Sequence, residues 1–162
     1  MPQYLPINAE INKRGQNDTT FIFYRGKFDS LVKKIIVAEG LNYIWVNSQS
    51  EANDYYQLKR ADWIFFSNRY PYLDVLIEVS KTARIGHGIG AKASYYNQSD
   101  SPTTVRFVEG ERKTNTLRSM YPNNKFINAG FSKLDPILNG EVCGSSLESL
   151  KLDSNKKTII YA

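Results

Sequence analysis

The chain has 162 residues, of which 41% are hydrophobic and 23% charged, and these values are ordinary for one compact folded domain with or without a fragment of another. The single cysteine, Cys143, excludes an internal disulfide, and one histidine with one cysteine does not make a zinc site. We therefore expect the protein to reside in a reducing cytoplasm and to bind no metal and no cofactor. The net charge of +5 favours anionic partners such as phosphorylated substrates or acidic lipid surfaces, and because no block of five basic residues occurs, we expect no nucleic acid.

The predicted secondary structure alternates between strands and helices after a polar, irregular segment at 1–18, which we interpret as a loose leader. The first elements are a strand at 20–24, a helix from Phe28 that Gly40 ends, a strand at 43–47 and a helix that Ser50 caps and that runs towards Ala61. A strand at 63–67, a helix from Pro71 to Ser80, a strand at 83–86 and a polar loop at 93–103 follow. A strand at 105–108, a helix at 111–120, a strand at 125–129 and a short helix at 135–138 complete the series.

This alternation predicts an α/β fold with a mostly parallel sheet. The apolar strand at 63–67 suits a sheet that is covered on both faces, and right-handed crossovers then give a doubly wound, Rossmann-like domain over 19–138. Residues 139–156 are polar and are predicted to be a linker. We expect the apolar run within 157–162 to begin a second domain that this chain lacks.

Ligands of open α/β sheets bind outside the carboxyl ends of the strands, and four segments of the chain follow predicted strands. These segments are 24–27, 67–69, 87–92 and 109–112, and the candidate ligand-binding residues in them are Gly26, Lys27, Ser67, Asn68, Arg69, Gly88, Gly90 and Lys92. Other interpretations stay open: the Gly26 segment also suits a simple turn, and Arg69 also suits a solvated surface position. For the carboxylates Glu109 and Glu111 we favour a helix-capping role over acid–base chemistry.

His87 is the candidate catalytic residue because it is flanked by Gly86, Gly88 and Gly90 at the end of a predicted strand. Glycines let a backbone approach an anion closely, and an imidazole near neutral pH accepts a proton from a hydroxyl. Lys92 is able to place a positive charge near a phosphate. The alternative is a histidine that is hydrogen-bonded in a glycine-rich turn. The spacing is not the dinucleotide-binding fingerprint.

The His87 segment resembles a motif of a known family. His87-Gly88 followed by Lys92 is similar to the His-Gly-x-x-x-Lys motif of CDP-glycerol glycerophosphotransferases, which build or prime teichoic-acid-like chains. Segments 23–29, 128–135 and 157–162 resemble the family's first strand with its loop, its Gly-x-Pro-Lys-x-Asp segment and the start of its Lys-x-x-Leu-Tyr-Ala-Pro-Thr segment. Two departures are Ile89-Gly90-Ala91 in place of the common Thr-Pro-Leu, and Ser132 in place of a common proline.

The resemblance implies the N-terminal, acceptor-side half of a GT-B enzyme, with most of the CDP-glycerol held by a C-terminal domain. His87 would take the proton of an acceptor hydroxyl on a glycerophosphate or glycan acceptor as that oxygen attacks the donor, and CMP would leave. The family's second essential histidine lies in the C-terminal domain, so we expect the isolated chain to be inactive. We expect a cytoplasmic location, with any contact with an anionic membrane peripheral and at its inner face.

Two alternatives belong to other classes. The chain also suits the N-terminal half of a different GT-B enzyme, such as a sugar transferase or a nucleotide-sugar epimerase. It further suits a non-catalytic Rossmann-like module that binds a phosphorylated ligand or a partner.

Overall fold

The computed structural model describes residues 3–15, 18–86, 93–97, 100–142, 144–146, 148–153 and 155–157. The strands are β1 (Phe21–Tyr24), β2 (Tyr43–Val46), β3 (Trp63–Phe66), β4 (Lys81–Ile85), β5 (Val105–Val108) and β6 (Phe126–Asn128). The helices are α1 (Leu5–Arg14), α2 (Asp29–Glu39), α3 (Gln49–Lys59), α4 (Leu73–Leu76), α5 (Ala93–Asn97), α6 (Glu111–Met120) and α7 (Asp135–Leu138), with a 3-10 turn at Ser132–Leu134.

All strand pairs described are parallel, so the predicted α/β fold with parallel sheets flanked by helices is confirmed. The hydrogen-bonded ladder is divided into two sheets: β1 pairs with β2, and β3 to β6 pair in consecutive order. Right-handed crossovers between consecutive neighbours place their helices on one face of the larger sheet. The carboxyl ends of its four strands therefore lie at one edge.

The register of the larger sheet pairs Phe66 with Arg84 and Arg106 with Phe126, and we call the face that carries these side chains the first face. On the first face, Leu73 and Leu76 of α4 pack with Ile64 and Phe66 of β3. A second cluster on the same face comprises Val108, Leu117 of α6 and Phe126. The burial of apolar side chains in these two clusters holds α4 and α6 to the sheet.

Helix α3 begins at a reciprocal capping arrangement. Ser48 is the N-cap, and its side-chain oxygen accepts a hydrogen bond from the Glu51 N–H at 3.1 Å. The Glu51 carboxylate reaches back to the Asn47 N–H at 2.7 Å. Two otherwise unpaired backbone donors are thereby satisfied. The predicted cap at Ser50 was therefore wrong by two residues, because the Ser-x-x-Glu spacing belongs to Ser48 and Glu51.

Three predicted elements differ from the structure. The loose leader contains helix α1, which begins next to a proline and ends at Gly15 with φ of 65°. The helix predicted from Pro71 to Ser80 is the single turn α4, since Val79 and Ser80 both donate to the Leu76 carbonyl in tight turns before β4 begins. The polar loop at 93–103 contains α5, whose Tyr96 packs on the second core cluster.

Several predictions of the sequence fall outside the described residues. These are the segment His87 to Lys92, Cys143 and the last strand at 158–161. The described residues of the predicted linker at 139–156 form turns and bends rather than helices or strands.

The second core cluster gives a stability prediction. Leu117 on α6 is fully buried, so Leu117→Ala is expected to lower the free energy of unfolding by roughly 2–5 kcal/mol through lost burial and a cavity. Leu58→Ala on α3 is the matched control, because Leu58 is 79% exposed and its removal should change stability by less than about 0.5 kcal/mol. Urea denaturation measures both, and equal effects of the two changes would contradict this description of the core.

Candidate functional site

A cleft of about 330 Å³ opens at the carboxyl ends of the larger sheet. Its walls come from β3, β4, β5, the segment after β6, and α1, and are formed by Ile7, Phe65, Ile85, Gly86, Phe107, Glu109, Ala129, Gly130, Phe131, Ser132 and Asp135. This is the position where open α/β sheets bind ligands. The cleft lies on the second face of the sheet, because the register places Ile85 beside Phe107.

The chemistry of the cleft combines aromatic walls with carboxylates. Phe65, Phe107 and Phe131 supply apolar ring surface, and the exposed Asp135 supplies a carboxylate, while the carboxylate of Glu109 is paired with Lys113. Carboxylates accept hydrogen bonds from hydroxyl groups and repel phosphates. The cleft therefore suits the uncharged hydroxyl-bearing part of a ligand better than its anionic part.

Helix α1 closes one side of this cleft, although its segment was predicted to be a loose leader. Ile7 lies in the wall, and the Ser132 hydroxyl donates a hydrogen bond to the Gln3 carbonyl at 2.8 Å. The Thr19 hydroxyl also donates to the Asn8 side-chain oxygen, and this hydrogen bond ties the segment that follows α1 back to the helix. The segment predicted as a leader is thus part of the site.

The loop after β1 holds Gly26 and Lys27 in an exposed turn. The Gly26 N–H donates to the Asp29 carboxylate at 2.7 Å, so this donor is already used within the turn. The Lys27 ammonium lies 4.9 Å from the centre of the Phe28 ring, and the Arg25 guanidinium lies 5.4 Å from that of Trp45. The geometry of Gly26 thus agrees with the turn interpretation, while Lys27 remains a candidate as an exposed cation.

The loop after β3 holds Ser67, which is half-buried, and Asn68 and Arg69, which are exposed. Ser67 is hydrogen-bonded to the Tyr4 side chain, so this loop contacts the N-terminal segment. Tyr70 follows and is buried; its hydroxyl donates to the Gln49 carbonyl at 3.0 Å.

A cluster of tyrosines links the two sheets at their carboxyl ends. Tyr24 at the end of β1 is hydrogen-bonded to Tyr70, whose ring stacks on Phe66 with centroids 4.7 Å apart. Tyr56 of α3 meets Tyr70 edge to face. Burial raises the pKa of Tyr70 and of Tyr56 well above the usual tyrosine value, and neighbouring tyrosines raise it further. These phenols are neutral at physiological pH and serve as packing and hydrogen-bonding groups.

Two arginines on neighbouring strands were not among the predicted site residues. Arg84 of β4 is half-buried and stands in register with Arg106 of β5, which is buried. The Arg106 guanidinium donates to the Tyr95 carbonyl at 3.2 Å. An arginine between apolar residues, as in β5, is a sequence signal that was available for finding Arg106.

The carboxylate Glu109 does not cap α6, contrary to the role favoured from sequence. The N-cap of α6 is Gly110, with no side-chain cap hydrogen bond. Glu109 forms an ion pair with Lys113, in which both side chains are largely buried. The Lys113 ammonium also lies over the rings of Tyr95 and Tyr96. Glu111 occupies the first helical turn, where a negative charge favours the helix dipole.

Of the predicted site residues that the structure describes, which are Gly26, Lys27, Ser67, Asn68 and Arg69, none is among the residues that line the cleft. Gly86, the residue before His87, lines the cleft together with the segment Ala129–Ser132. His87, Gly88, Gly90 and Lys92 lie outside the described residues, and their roles remain predictions from sequence. Within the described ranges, no helix is long and apolar enough to cross a membrane, and no group of three His, Cys, Asp or Glu side chains is placed to hold a metal ion.

The fold and the cleft define an α/β domain consistent with the Rossmann-like class, with parallel sheets flanked by helices and a cleft at the strand ends. No family model, curated protein or solved structure matches the chain. Because one fold of this class serves many activities, function has to be argued from the site itself.

The tyrosine cluster predicts alkaline sensitivity. Because Tyr70 has a raised pKa when folded, the folded protein retains a proton that the unfolded chain releases near pH 10.0, and the free energy of unfolding falls as pH rises beyond that value. Tyr70→Phe should make this fall shallower and should lower stability at pH 7 by about 1 kcal/mol through the lost hydrogen bond to Gln49.

Urea denaturation at pH 7, 9 and 11 measures both effects. Tyr43→Phe is the control, since Tyr43 on β2 is exposed and its change should leave the stability at pH 7 within about 0.5 kcal/mol of the unchanged protein. An unchanged slope above pH 10 in Tyr70→Phe would show that Tyr70 does not carry the alkaline sensitivity.

Proposed function

We propose that this chain is the acceptor-side domain of a CDP-glycerol glycerophosphotransferase-like enzyme, which transfers glycerol phosphate to an acceptor hydroxyl with release of CMP. The observation that carries the proposal is the composition of the cleft. Gly86 leads directly into the motif-like segment at 87–92, and it shares the cleft with residues 129–132 and Asp135. The residue that precedes one family-like segment and five residues of another thus line the same cleft, although they lie far apart in sequence.

The chemistry of the cleft supports an acceptor rather than a donor. Its Asp135 carboxylate is able to accept hydrogen bonds from a polyol or sugar, and its phenylalanine rings are able to cover the apolar C–H faces of such a ligand. A CDP group carries two phosphates, which the Asp135 carboxylate would repel. We assign the cytidine diphosphate portion mainly to a second domain of the enzyme.

In the proposed reaction, His87 acts as general base. It removes the proton of the acceptor hydroxyl while that oxygen forms a bond to the β-phosphorus of CDP-glycerol. The bond from this phosphorus to the oxygen that bridges the two phosphates breaks, and the electron pair leaves with CMP. Lys92 would balance the negative charge that develops on the transferred phosphoryl group, and positioning of the two reactants would supply much of the rate.

The full-length gene product tests this function directly. With CDP-glycerol and a glycerophosphate-terminated acceptor, CMP release is expected, and His87→Ala should lower kcat by at least about a hundredfold, because the base is lost. The exposed Gln57 on α3 gives the control, since Gln57→Ala should keep kcat unchanged. Enzyme-coupled detection of CMP measures both, and His87→Ala with a near-normal kcat would remove His87 from the chemistry.

The same assay separates the alternatives. Turnover of a UDP-sugar without CMP release would replace the proposed function with that of another GT-B enzyme. Binding of a glycerophosphate acceptor in isothermal titration calorimetry, with no turnover of either donor, would leave a non-catalytic binding module.

A further inference from the structure

Helix α1 is held beside the cleft by polar contacts rather than by apolar burial. In the described part of the chain, Asn8 is the only buried residue of α1, and no side chain of α1 belongs to either core cluster. Ile7, which lines the cleft, is half-buried. An element with few buried apolar contacts opens at a lower free energy than the whole domain unfolds. The packing of α1 therefore allows it to detach while the sheet and its core stay folded.

Two serine side chains fasten the start of α1 to the strand ends. The Ser132 hydroxyl, in the segment after β6, donates a hydrogen bond to the Gln3 carbonyl at 2.8 Å. Ser67, the residue after β3, is hydrogen-bonded to the Tyr4 side chain. Gln3 is only 2% exposed, so its position depends on these neighbours. The segments that follow the two outer strands of the larger sheet thus converge on two adjacent residues at the start of α1.

The other end of α1 leads to β1 and supplies a pivot. Gly15 ends the helix with φ of 65°, a left-handed conformation that glycine adopts without a steric penalty. The Thr19 hydroxyl, two residues before β1, donates to the Asn8 side-chain oxygen in the middle of the helix. Neither Thr19 nor Asn8 is among the described residues that line the cleft. Their hydrogen bond is therefore able to persist when the contacts of Gln3 and Tyr4 are broken.

We infer that α1 is a strap that detaches at Gln3 and Tyr4 to admit a ligand to the cleft and closes again over the bound ligand. Ile85 on β4 lines the cleft together with Ile7 and is only 8% exposed, so detachment of α1 makes this inner wall accessible. Closure of such an element keeps water from a bound ligand. The strap acts on any ligand of the cleft, and it stands or falls independently of CMP release.

The labelling rate of a thiol inside the cleft measures this opening. Cys143 is the only cysteine, so Ile85→Cys together with Cys143→Ser gives a chain whose single thiol lies in the cleft. N-ethylmaleimide should label this thiol much more slowly than it labels the same chain unfolded in urea. Ser132→Ala removes one fastening hydrogen bond and should raise the labelling rate about fivefold, the factor that corresponds to one net hydrogen bond. Tyr4→Phe should act in the same direction through the lost contact with Ser67.

Two controls separate detachment of the strap from unfolding of the domain. Val108→Cys, also with Cys143→Ser, places the thiol in the second core cluster, where Ser132→Ala should leave the labelling rate unchanged. Ser30→Ala on α2 is the matched serine variant, since Ser30 is exposed, and it should leave the rate at Ile85→Cys unchanged.

Hydrogen exchange with mass spectrometry tests the strap without a new cysteine and decides the matter if Ile85→Cys fails to fold. In Ser132→Ala, the backbone amides of α1 should exchange about fivefold faster, while those of α6 keep their rates. Equal rates at Ile85→Cys with and without Ser132→Ala and Tyr4→Phe would overturn the strap. So would an equal acceleration at Val108→Cys, which reports unfolding of the domain, or labelling of a folded Ile85→Cys as fast as in urea, which reports a cleft that α1 does not close.

Discussion

The parallel pairing of β3 to β6 is the constraint on which the rest of the structure depends. Because these strands pair in consecutive order and point the same way, their carboxyl ends meet at one edge, and the segments that follow β4, β5 and β6 line one cleft. The apolar clusters around Leu76 and Leu117 hold α4 and α6 to one face of this sheet. The opposite face is then left for the cleft, with α1 beside it.

The same pairing places two arginines side by side on the core face. The register that brings Phe66 and Phe126 onto the core face also brings Arg84 and Arg106 onto it, side by side. The cleft on the other face is lined by phenylalanine rings together with Glu109 and Asp135.

Much of the fold was predictable because its strands are short apolar runs and its helices carry local end signals. The six described strands lie within a residue or two of their predictions, and Gly40 ends α2 in a left-handed conformation. Helix α1 was not predicted, because its residues are polar on average. Pro6 near its start and Gly15 at its end are nevertheless ordinary helix signals. Helix α5 had weaker signals, because it depends on the packing of Tyr96 against residues far away in sequence.

The sequence by itself determined the α/β class, the parallel sheet and the strand ends at which a ligand site was to be sought, because hydrophobic periodicity and turn residues are local properties. Only the tertiary structure decided that the N-terminal segment closes the cleft and that Arg84 stands beside Arg106. These facts depend on which strands pair and in what register. Such pairing is set by long-range packing, which no local pattern encodes.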